Sequence, residues 1–242
     1  MPEEISLDSA KDKPIRTLCL DIGGTGIKAI VLDGDGKPLT ARGRVDTPRP
    51  ATPRALVNTI RALARAQGPF DRVSVGFPGV VRRGVVETAH NLAPSWVGQK
   101  IDRLLAKALG KPVRAANDAD VQGLKVVRGR GVELVITLGT GFGSALFVDG
   151  RLVQNLQLGH HAAWRAKTYE EELGAAALAK VGKKKWNKRL VKAIHSLELL
   201  FNYDVLYIGG GNARKISIEL PPRVKIVSNV AGLLGGIALW RA

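Results

Sequence analysis

A repeated glycine-rich motif constrains the fold of this chain more than any other feature. Leu18–Gly34 (LCLDIGGTGIKAIVLDG) and Leu134–Gly150 (LVITLGTGFGSALFVDG) align without a gap, and each reads as an apolar strand, a glycine turn, a second apolar strand and an Asp-Gly turn. Glycine turns leave backbone N–H groups uncovered, so two that converge on a cleft can grip an anionic phosphate. The alternative is two ordinary hairpins, but the near-duplication favours phosphate binding.

Two common nucleotide-binding motifs are absent from these turns. Neither turn matches GxxxxGK[ST], the lysine-containing loop of Walker-type NTPases. A dinucleotide-binding fingerprint passes from strand to helix, whereas Gly26 leads into Ile27–Leu32, which reads as a strand. The phosphate-binding hypothesis therefore rests on the duplication itself.

Composition indicates a globular protein of the cytoplasm. The 242 residues, 45% of them hydrophobic, suffice for one large or two modest domains. Cys19 is the single cysteine, which excludes disulfides within the chain and cysteine metal sites. It lies in an apolar strand. The start of the chain lacks the apolar core of a signal peptide, and no apolar run is long enough for a membrane span. We expect a soluble cytoplasmic protein.

The net charge of +16 should attract polyanions. Nucleic acid, a membrane surface and inorganic polyphosphate are all candidates, and simple solubility is the alternative. The most basic segment is Lys183–Arg189 (KKKWNKR), whose lysines surround Trp186. This pattern suits single-stranded nucleic acid, but we favour a solvated helix start with Trp186 in the core.

Apolar periodicity predicts alternating strands and helices. Thr52 and Pro53 are typical of a helix start, and Leu56, Ile60 and Leu63 follow with helical spacing. Further helices are predicted over Ile101–Leu109, Ala119–Val127, Tyr169–Ala179, Leu190–Leu200 and Ser228–Trp240, and strands over Arg72–Phe77, Val113–Ala116 and Val205–Ile208.

Two polar residues at the ends of predicted elements are candidates for a functional role. Asp118 follows a strand and precedes a helix, at the edge where open α/β sheets place ligands. Its position alone favours a helix N-cap. His160 suits a metal ligand, an acid/base group or a hydrogen-bond partner of a substrate; carboxylates and cysteines at metal spacing are missing around it, which disfavours zinc.

These motifs together resemble the ROK family of sugar kinases (repressor, open reading frame, kinase), most closely its polyphosphate glucokinases. Asp21–Lys28 (DIGGTGIK) matches the family's first phosphate motif, DxGGTxxK, and Leu138–Gly143 (LGTGFG) resembles the second. Other landmarks follow in the family's order: Thr47–Pro53, Phe77–Val81, Thr88–Asn91, Ser95–Gly98, Asn117–Asp120 and Gly209–Gly211.

The resemblance implies an actin-like α/β fold. Two domains of ribonuclease H type each open with the duplicated β-meander, and substrates bind in the cleft between them. We expect a disordered tail over residues 1–14, an N-terminal domain over 15–117 and a C-terminal domain over 118–242, with the last helix packed back on the first domain.

The resemblance also implies phosphoryl transfer from polyphosphate, ATP or both to a hydroxyl of glucose or a related hexose. Asp118 matches the family's catalytic base, which overrides the N-cap interpretation. The predicted sugar ligands are Asn91, Asn117, Gln157 and His160. The predicted phosphate ligands are Asp21, Gly23, Gly24, Thr25, Lys28, Thr137, Gly139, Thr140, Gly141, Gly209, Gly210 and Gly211. Mg²⁺ would bind through the phosphates, with Asp21 as an indirect partner and without cysteine or histidine ligands.

The sugar site departs from the family pattern. The family reads ExGHxE, whereas this chain has Gln157 and Ala162 at the two glutamate positions and retains His160. An uncharged amide loses on the order of 1 kcal/mol against a carboxylate as a hydrogen-bond partner. The expected result is weaker glucose binding, or a different sugar or polyol as acceptor. The family's cysteine zinc motif is also absent, as in polyphosphate glucokinases.

Other functions are compatible with this resemblance. A non-catalytic sugar or polyanion binder would keep the fold without turnover. A ROK transcriptional repressor carries a helix-turn-helix before the sugar domain, and the residues before Thr17 leave no room for one. A nucleic-acid partner and a membrane are not expected. The sequence does not reveal the oligomeric state, and a homodimer is compatible with the resemblance because relatives commonly form one.

Overall fold

The computed structural model describes residues 14–228 and 230–241. The predicted disordered tail, residues 1–14, lies outside these residues except for Pro14. The first half of the chain contains β1 (Thr17–Ile22), β2 (Gly26–Leu32), β3 (Gly43–Asp46), α1 (Pro53–Ala66), β4 (Arg72–Phe77), β5 (Val81–Arg82), β6 (Val85–Val86), α2 (Ile101–Leu109) and β7 (Val113–Asn117). The second half contains α3 (Asp118–Val126), β8 (Val132–Leu138), β9 (Phe142–Val148), β10 (Arg151–Val153), β11 (Ala162–Trp164), β12 (Lys167–Thr168), α4 (Tyr169–Leu173), α5 (Ala175–Phe201), β13 (Val205–Gly209), β14 (Val224–Ile226) and α6 (Ala231–Leu234).

Two five-stranded sheets repeat one topology. The first has the order β3-β2-β1-β4-β7 and the second β10-β9-β8-β13-β14. In each, the first three strands form an antiparallel meander and the other two pair in parallel. The duplicated β-meander predicted from the sequence repeat is therefore confirmed.

Alternation along β1 explains how the first sheet is covered on both faces. Leu18, Leu20 and Ile22 point into a core that also contains the apolar side of α1 and α2. Cys19 points to the opposite face and packs with Leu233 near the end of the chain. Successive side chains of a strand alternate between faces, so both faces of this strand are buried.

Helix α1 follows its sequence signals. The Thr52 hydroxyl accepts a hydrogen bond from the backbone N–H of Ala55 at 3.3 Å, which caps the helix. The buried residues Leu56, Ile60 and Leu63 form its apolar stripe. Helix α2 likewise ends at Gly110, which has a left-handed φ of 66°.

Several predicted boundaries were wrong because glycines interrupt the helices. The helix expected over Tyr169–Ala179 breaks at Gly174, which is extended (φ −64°, ψ 172°) and whose added Cβ would lie 2.8 Å from the Glu170 carbonyl oxygen. A second break at Gly182 (φ 74°) divides α5. The last predicted helix shortens to α6 followed by a 3-10 segment, Gly235–Trp240. Strand β7 extends one residue beyond the predicted strand, to Asn117, and is mostly half-buried.

Trp186 lies in the core, as the favoured interpretation predicted. Its side chain is fully buried, and its indole N–H donates to the carbonyl oxygen of Leu173 at 2.9 Å. A buried indole cannot stack on a nucleic-acid base, so the basic segment around it contains no stacking platform.

The C-terminal segment lies against the first sheet. The Ser74 hydroxyl donates to the Gly236 carbonyl oxygen at 2.7 Å, and the Trp240 indole N–H donates to the same hydroxyl at 2.9 Å. The guanidinium groups of Arg72 and Arg114 flank the Trp240 ring at 5.0 and 4.8 Å. Burial in this contact raises the pKa of the Cys19 thiol to about 12, so that it stays a neutral packing group.

None of the helices in the part of the chain that the structure describes has the length and the apolar character needed to span a bilayer.

Candidate active site

A polar cavity of about 460 Å³ lies where the two meanders face each other. Nearly all predicted site residues line it. They are Asp21, Gly23, Gly24, Thr25, Lys28, Asn91, Asn117 and Asp118 from the first half and its junction, and Thr137, Gly139, Thr140, Gly141, Gln157, His160, Gly210 and Gly211 from the second. Residues far apart in sequence therefore meet in one site.

Gly209 is the predicted phosphate ligand that does not line this cavity. It ends strand β13, and a Cβ added there would lie 1.7 Å from the amide nitrogen of Gln122. Gly209 is thus required for close packing of the strand on α3. Of the predicted glycine turn, only Gly210 and Gly211 line the cavity.

The two glycine turns approach each other closely. A Cβ added at Gly24 would lie 3.1 Å from the Asn91 Cβ and 3.5 Å from the Thr140 methyl group. Each turn is closed by one backbone hydrogen bond, from Gly23 N to Gly26 O at 3.0 Å and from Gly139 N to Gly141 O at 3.1 Å. Two glycine turns, each closed by a short-range backbone hydrogen bond, therefore face each other across the cavity, in the arrangement that exposed backbone N–H groups require to hold an anion from both sides.

Asp118 is free of the capping role that its position alone suggested. Asn117 caps α3, because its side-chain oxygen accepts from the N–H groups of Ala119 and Asp120 at 2.9 and 3.3 Å. The N-cap interpretation of Asp118 was therefore wrong. Its carboxylate lines the cavity instead, with one hydrogen bond from the Ala119 N–H at 2.9 Å.

The surroundings of Asp118 favour its protonated form. Burial, and secondarily the negative charge of Asp21, raise the pKa of Asp118 to about 7, against a lowering by the Ala119 N–H. A carboxyl group with a pKa near the working pH exchanges protons readily with a bound hydroxyl.

Asp21 and Lys28 form an ion pair on the first meander. Their side chains are opposite each other in the β1–β2 register, and the Lys28 Nζ lies 2.7 Å from a carboxylate oxygen of Asp21. Arg44 and Arg214 add positive charge to the cavity lining. The described residues contain no cluster of three or more histidine, cysteine, aspartate or glutamate side chains suited to hold a metal.

The predicted sugar end contains a histidine pair. The rings of His90 and His160 lie 3.9 Å apart between centroids. Burial, and secondarily His160, lower the pKa of His90, against an opposing effect of Glu170. Both rings line the cavity beside Gln157. His90 had been noted only within a sequence landmark, because a lone histidine in a polar loop gives no signal of its partner.

Glu170 is a cavity carboxylate that sequence reasoning missed. One of its oxygens accepts from the Phe142 N–H at 3.1 Å, directly beside the second glycine turn. Its neighbours differ: Glu171 completes a capping box with Thr168, and Glu172 pairs with Arg189 at 3.1 Å. Three consecutive glutamates gave no sequence signal to separate these roles.

Ala162 lies outside the cavity. It is exposed at the start of β11 and is absent from the cavity lining. Ala162 therefore supplies no polar group to the cavity. Gln157, by contrast, does line the cavity, so the departure from the family pattern at that position affects the site.

Comparison with known proteins gives this site a family. The sequence model of the ROK family matches residues 17–167, more than half of the chain. The chain belongs to the ROK family. Within the family, it is 34% identical to a polyphosphate glucokinase of Mycobacterium tuberculosis (strain ATCC 25177 / H37Ra) over 233 residues, covering 89% of this chain and 88% of that protein. The identity to the polyphosphate glucokinase of Mycobacterium leprae (strain TN) is also 34%, over 89% of this chain and 72% of the relative.

Solved structures confirm the predicted fold class. The inorganic polyphosphate/ATP-glucomannokinase of Arthrobacter sp. strain KM superposes with a TM-score of 0.85 at 35% identity, covering 93% of this chain and 99% of that one. A ROK glucokinase of Streptomyces griseus shares the fold, with a TM-score of 0.76 at 21% identity over 93% and 98% of the two chains. The actin-like α/β architecture implied by the resemblance is thus confirmed.

The raised pKa of Asp118 predicts a pH-dependent cost to stability. An aspartate with a folded-state pKa of about 7, against an ordinary pKa of 3.8, binds its proton more tightly in the folded state. The folded state therefore loses stability as pH rises from about 4 to about 7. We expect Asp118→Asn to increase the free energy of unfolding relative to wild type by an amount that grows over this range and then levels off.

Urea denaturation of both proteins at pH 5, 6, 7 and 8 measures this difference. Asp35→Asn is the control, because Asp35 is exposed and this substitution removes the same charge as Asp118→Asn. Asp120, whose pKa burial also raises to about 7, is present in both proteins, so the comparison isolates Asp118. A difference between Asp118→Asn and wild type that stays constant across pH would contradict the account.

Proposed function

We propose that this protein is a sugar kinase that transfers the terminal phosphoryl group of inorganic polyphosphate or ATP to a hydroxyl of glucose or a related hexose. The observation that carries the proposal is the position of Asp118. Its carboxyl group, with a pKa raised to about 7, lies in one cavity with two converging glycine turns. The polyphosphate glucokinases and the glucomannokinase similar to this chain support the same donors and acceptor.

The proposed reaction uses the two ends of the cavity differently. The sugar lies against Asn91, Gln157 and His160, with the reacting hydroxyl next to Asp118. As the hydroxyl oxygen forms its bond to the terminal phosphorus, Asp118 accepts the hydroxyl proton, and the bond to the leaving phosphate oxygen breaks. In this transfer, most of the catalysis comes from positioning and charge stabilisation.

The phosphate end is assigned to the glycine turns and their charges. The N–H groups of Gly23 and Gly139 close the two turns. The backbone N–H groups that follow them, of Gly24 and Thr25 and of Thr140 and Gly141, would hold the donor phosphates from both sides. Arg44 and Arg214 lie in the same lining, and Lys28 adds a charge that is shared with Asp21. Each of these groups opposes the negative charge of the phosphates, which lowers the barrier to attack by an uncharged hydroxyl.

The residues present fit Mg²⁺ held mainly by the donor phosphates. Mg²⁺ in such sites keeps several waters and uses one or two carboxylates together with phosphate oxygens. Asp21 is the carboxylate placed for this on the phosphate side of the cavity, and its pairing with Lys28 suits an indirect contact. When bound, Mg²⁺ would neutralise charge on the transferring phosphate.

Asn117 is assigned a mainly positioning role. Its amide nitrogen donates to the Gly79 carbonyl oxygen at 3.1 Å, and its oxygen caps α3. Both ends of this amide are thus engaged with the protein, and the side chain is 5% exposed. We therefore propose that Asn117 orients Asp118 and contributes at most one N–H to the sugar.

We propose a domain boundary at Asn117 and Asp118, giving domains over 15–117 and 118–242. Each range contains one five-stranded sheet, and the cavity lies between the two. The segment after Ala231 contacts the first sheet although it belongs to the second range. The homodimer and the cytoplasmic location stay predictions.

The proposed base is tested by Asp118→Asn. With Mg²⁺, glucose and either donor, we expect kcat to fall by about 100-fold or more, because a positioned base contributes about 10²- to 10⁴-fold. Steady-state rates of sugar phosphate formation measure this effect. Asp35→Asn, which removes an exposed charge, should keep wild-type rates. Equal turnover by Asp118→Asn and wild type would remove Asp118 as the base.

Glu170 is proposed to supply the sugar-binding carboxylate that Gln157 does not. Its side chain lies next to Asn91, since a Cβ added at Gly141 would be 2.1 Å from a Glu170 oxygen and 3.2 Å from the Asn91 amide nitrogen. It also influences the titration of His90. One carboxylate thus lies among the predicted sugar ligands, although the sequence pattern has lost another.

Glu170→Gln should therefore raise the KM for glucose by about fivefold, since an amide loses on the order of 1 kcal/mol against a carboxylate as a hydrogen-bond partner. The KM for the phosphoryl donor should change little. Glu171→Gln is the matched control on the next residue, because Glu171 is exposed and takes part only in the helix cap. An unchanged glucose KM in Glu170→Gln, or an equal rise in Glu171→Gln, would show that Glu170 does not bind the sugar.

A further inference from the structure

A second groove, of about 390 Å³, lies outside the active-site cavity on the surface of α5. It is lined by Lys183, Lys184, Asn187, Lys188, Ser217 and Ile218, and we call it the lysine groove. All three lysines are exposed, and the lining contains no carboxylate and no aromatic ring. The core position of Trp186 explains the tryptophan in this segment but leaves its lysines without a structural role.

A buried amide fixes the shape of the lysine groove. Asn187 is 2% exposed, and its nitrogen donates to the carbonyl oxygens of Lys183 at 2.9 Å and Lys215 at 3.1 Å. Its oxygen accepts from the Ser217 N–H at 2.9 Å. These bonds hold the segment after β13 against α5, so both walls of the groove are tied together by one side chain.

The same segment connects the lysine groove to the active-site cavity. Gly210, Gly211, Asn212 and Arg214 line the cavity, and the Asn212 amide donates to the Gly139 carbonyl oxygen of the second glycine turn at 2.9 Å. A 3-10 turn, Ala213–Lys215, then leads to Ser217 in the groove. From Arg214 to Ile218 the backbone spans at most about 14 Å. Arg214 and Lys215 are both exposed along this path.

We propose that the lysine groove binds the distal part of an inorganic polyphosphate chain whose reacting end lies between the glycine turns. This inference rests on the proposed kinase function and assigns the donor a second site. Arg214 in the cavity lining, the exposed Lys215 after it and the three groove lysines together supply five positive charges, which suits a ligand with negative charge at every unit. Lysine binds phosphate as a point charge and needs no fixed geometry, which suits a flexible chain.

The chemistry of the lysine groove favours polyphosphate over the other polyanions. Single-stranded nucleic acid gains much of its affinity by stacking bases on aromatic rings, and none lines this groove. ATP carries only three phosphates, so on this proposal they occupy the cavity between the glycine turns and do not reach the groove lysines. The groove thus binds long polyphosphate but not ATP. On this proposal, part of the strong positive charge of the protein serves to bind polyphosphate.

The test compares two triple variants with the same loss of charge. Lys183→Gln/Lys184→Gln/Lys188→Gln removes the groove lysines, and Lys100→Gln/Lys107→Gln/Lys111→Gln removes three exposed lysines near α2 as the control. The KM for long-chain polyphosphate, for tripolyphosphate and for ATP is measured at saturating sugar and low salt. We expect the groove variant to raise the long-chain KM by roughly tenfold, in line with the loss of several phosphate contacts. The KM for tripolyphosphate and for ATP should stay within about twofold of wild type.

Direct binding separates this inference from the kinase proposal. Fluorescence anisotropy of end-labelled long-chain polyphosphate, without sugar, measures the groove whether or not the protein turns over. If neither donor supports phosphorylation but the groove variant alone loses polyphosphate binding, the kinase proposal fails and the groove assignment stands.

Other results would overturn the groove assignment. These are equal effects of the two triple variants, an equal rise in the KM for ATP, or unchanged polyphosphate binding in the groove variant. Single-stranded DNA of matched charge is the competitor. The groove is a nucleic-acid surface instead if two results are found together. The DNA displaces polyphosphate from the wild-type protein at a concentration equal to or below that of polyphosphate, and the groove variant no longer binds the DNA.

Discussion

The close approach of two glycine turns is the constraint on which this structure depends. A side chain at Gly24 would press against Asn91 and come within 3.5 Å of Thr140. A bulky residue in the turn would therefore push the two meanders apart. Because both sheets have the same order, the chain forms two similar walls and places them face to face. The proposed phosphate site follows from that symmetry, and the other cavity residues surround it.

The site carries charge at a cost to stability. Asp118 and Asp21 are close enough for one to raise the pKa of the other, and burial adds to this effect. A protein selected for stability alone would place a neutral side chain at such a position. The arrangement is consistent with a base that must take a proton near neutral pH, with Asn117 as the cap that keeps Asp118 available.

Sequence reasoning predicted the parts of the fold that depend on local patterns. The meanders, the helix cap at Thr52 and the core position of Trp186 each have a short-range signal, and the structure agrees with them. The failures depend on contacts between distant segments. The helix break at Gly174 depends on its close approach to Glu170 and Thr140. The position of Glu170 in the cavity depends on its hydrogen bond from Phe142, beside the second glycine turn. Sequence position alone also gave a wrong prediction at Asp118, because the neighbouring Asn117 is the N-cap of α3.

The central claim is that a sugar hydroxyl and a terminal phosphate meet between Asp118 and the paired glycine turns. A crystal structure of the protein with glucose, Mg²⁺ and a non-hydrolysable ATP analogue measures this directly. We expect one sugar hydroxyl within hydrogen-bonding distance of an Asp118 carboxylate oxygen, about 2.6–3.2 Å, and the terminal phosphate in contact with backbone N–H groups of both turns. A sugar bound away from Asp118, or a donor phosphate that contacts only one turn, would contradict it.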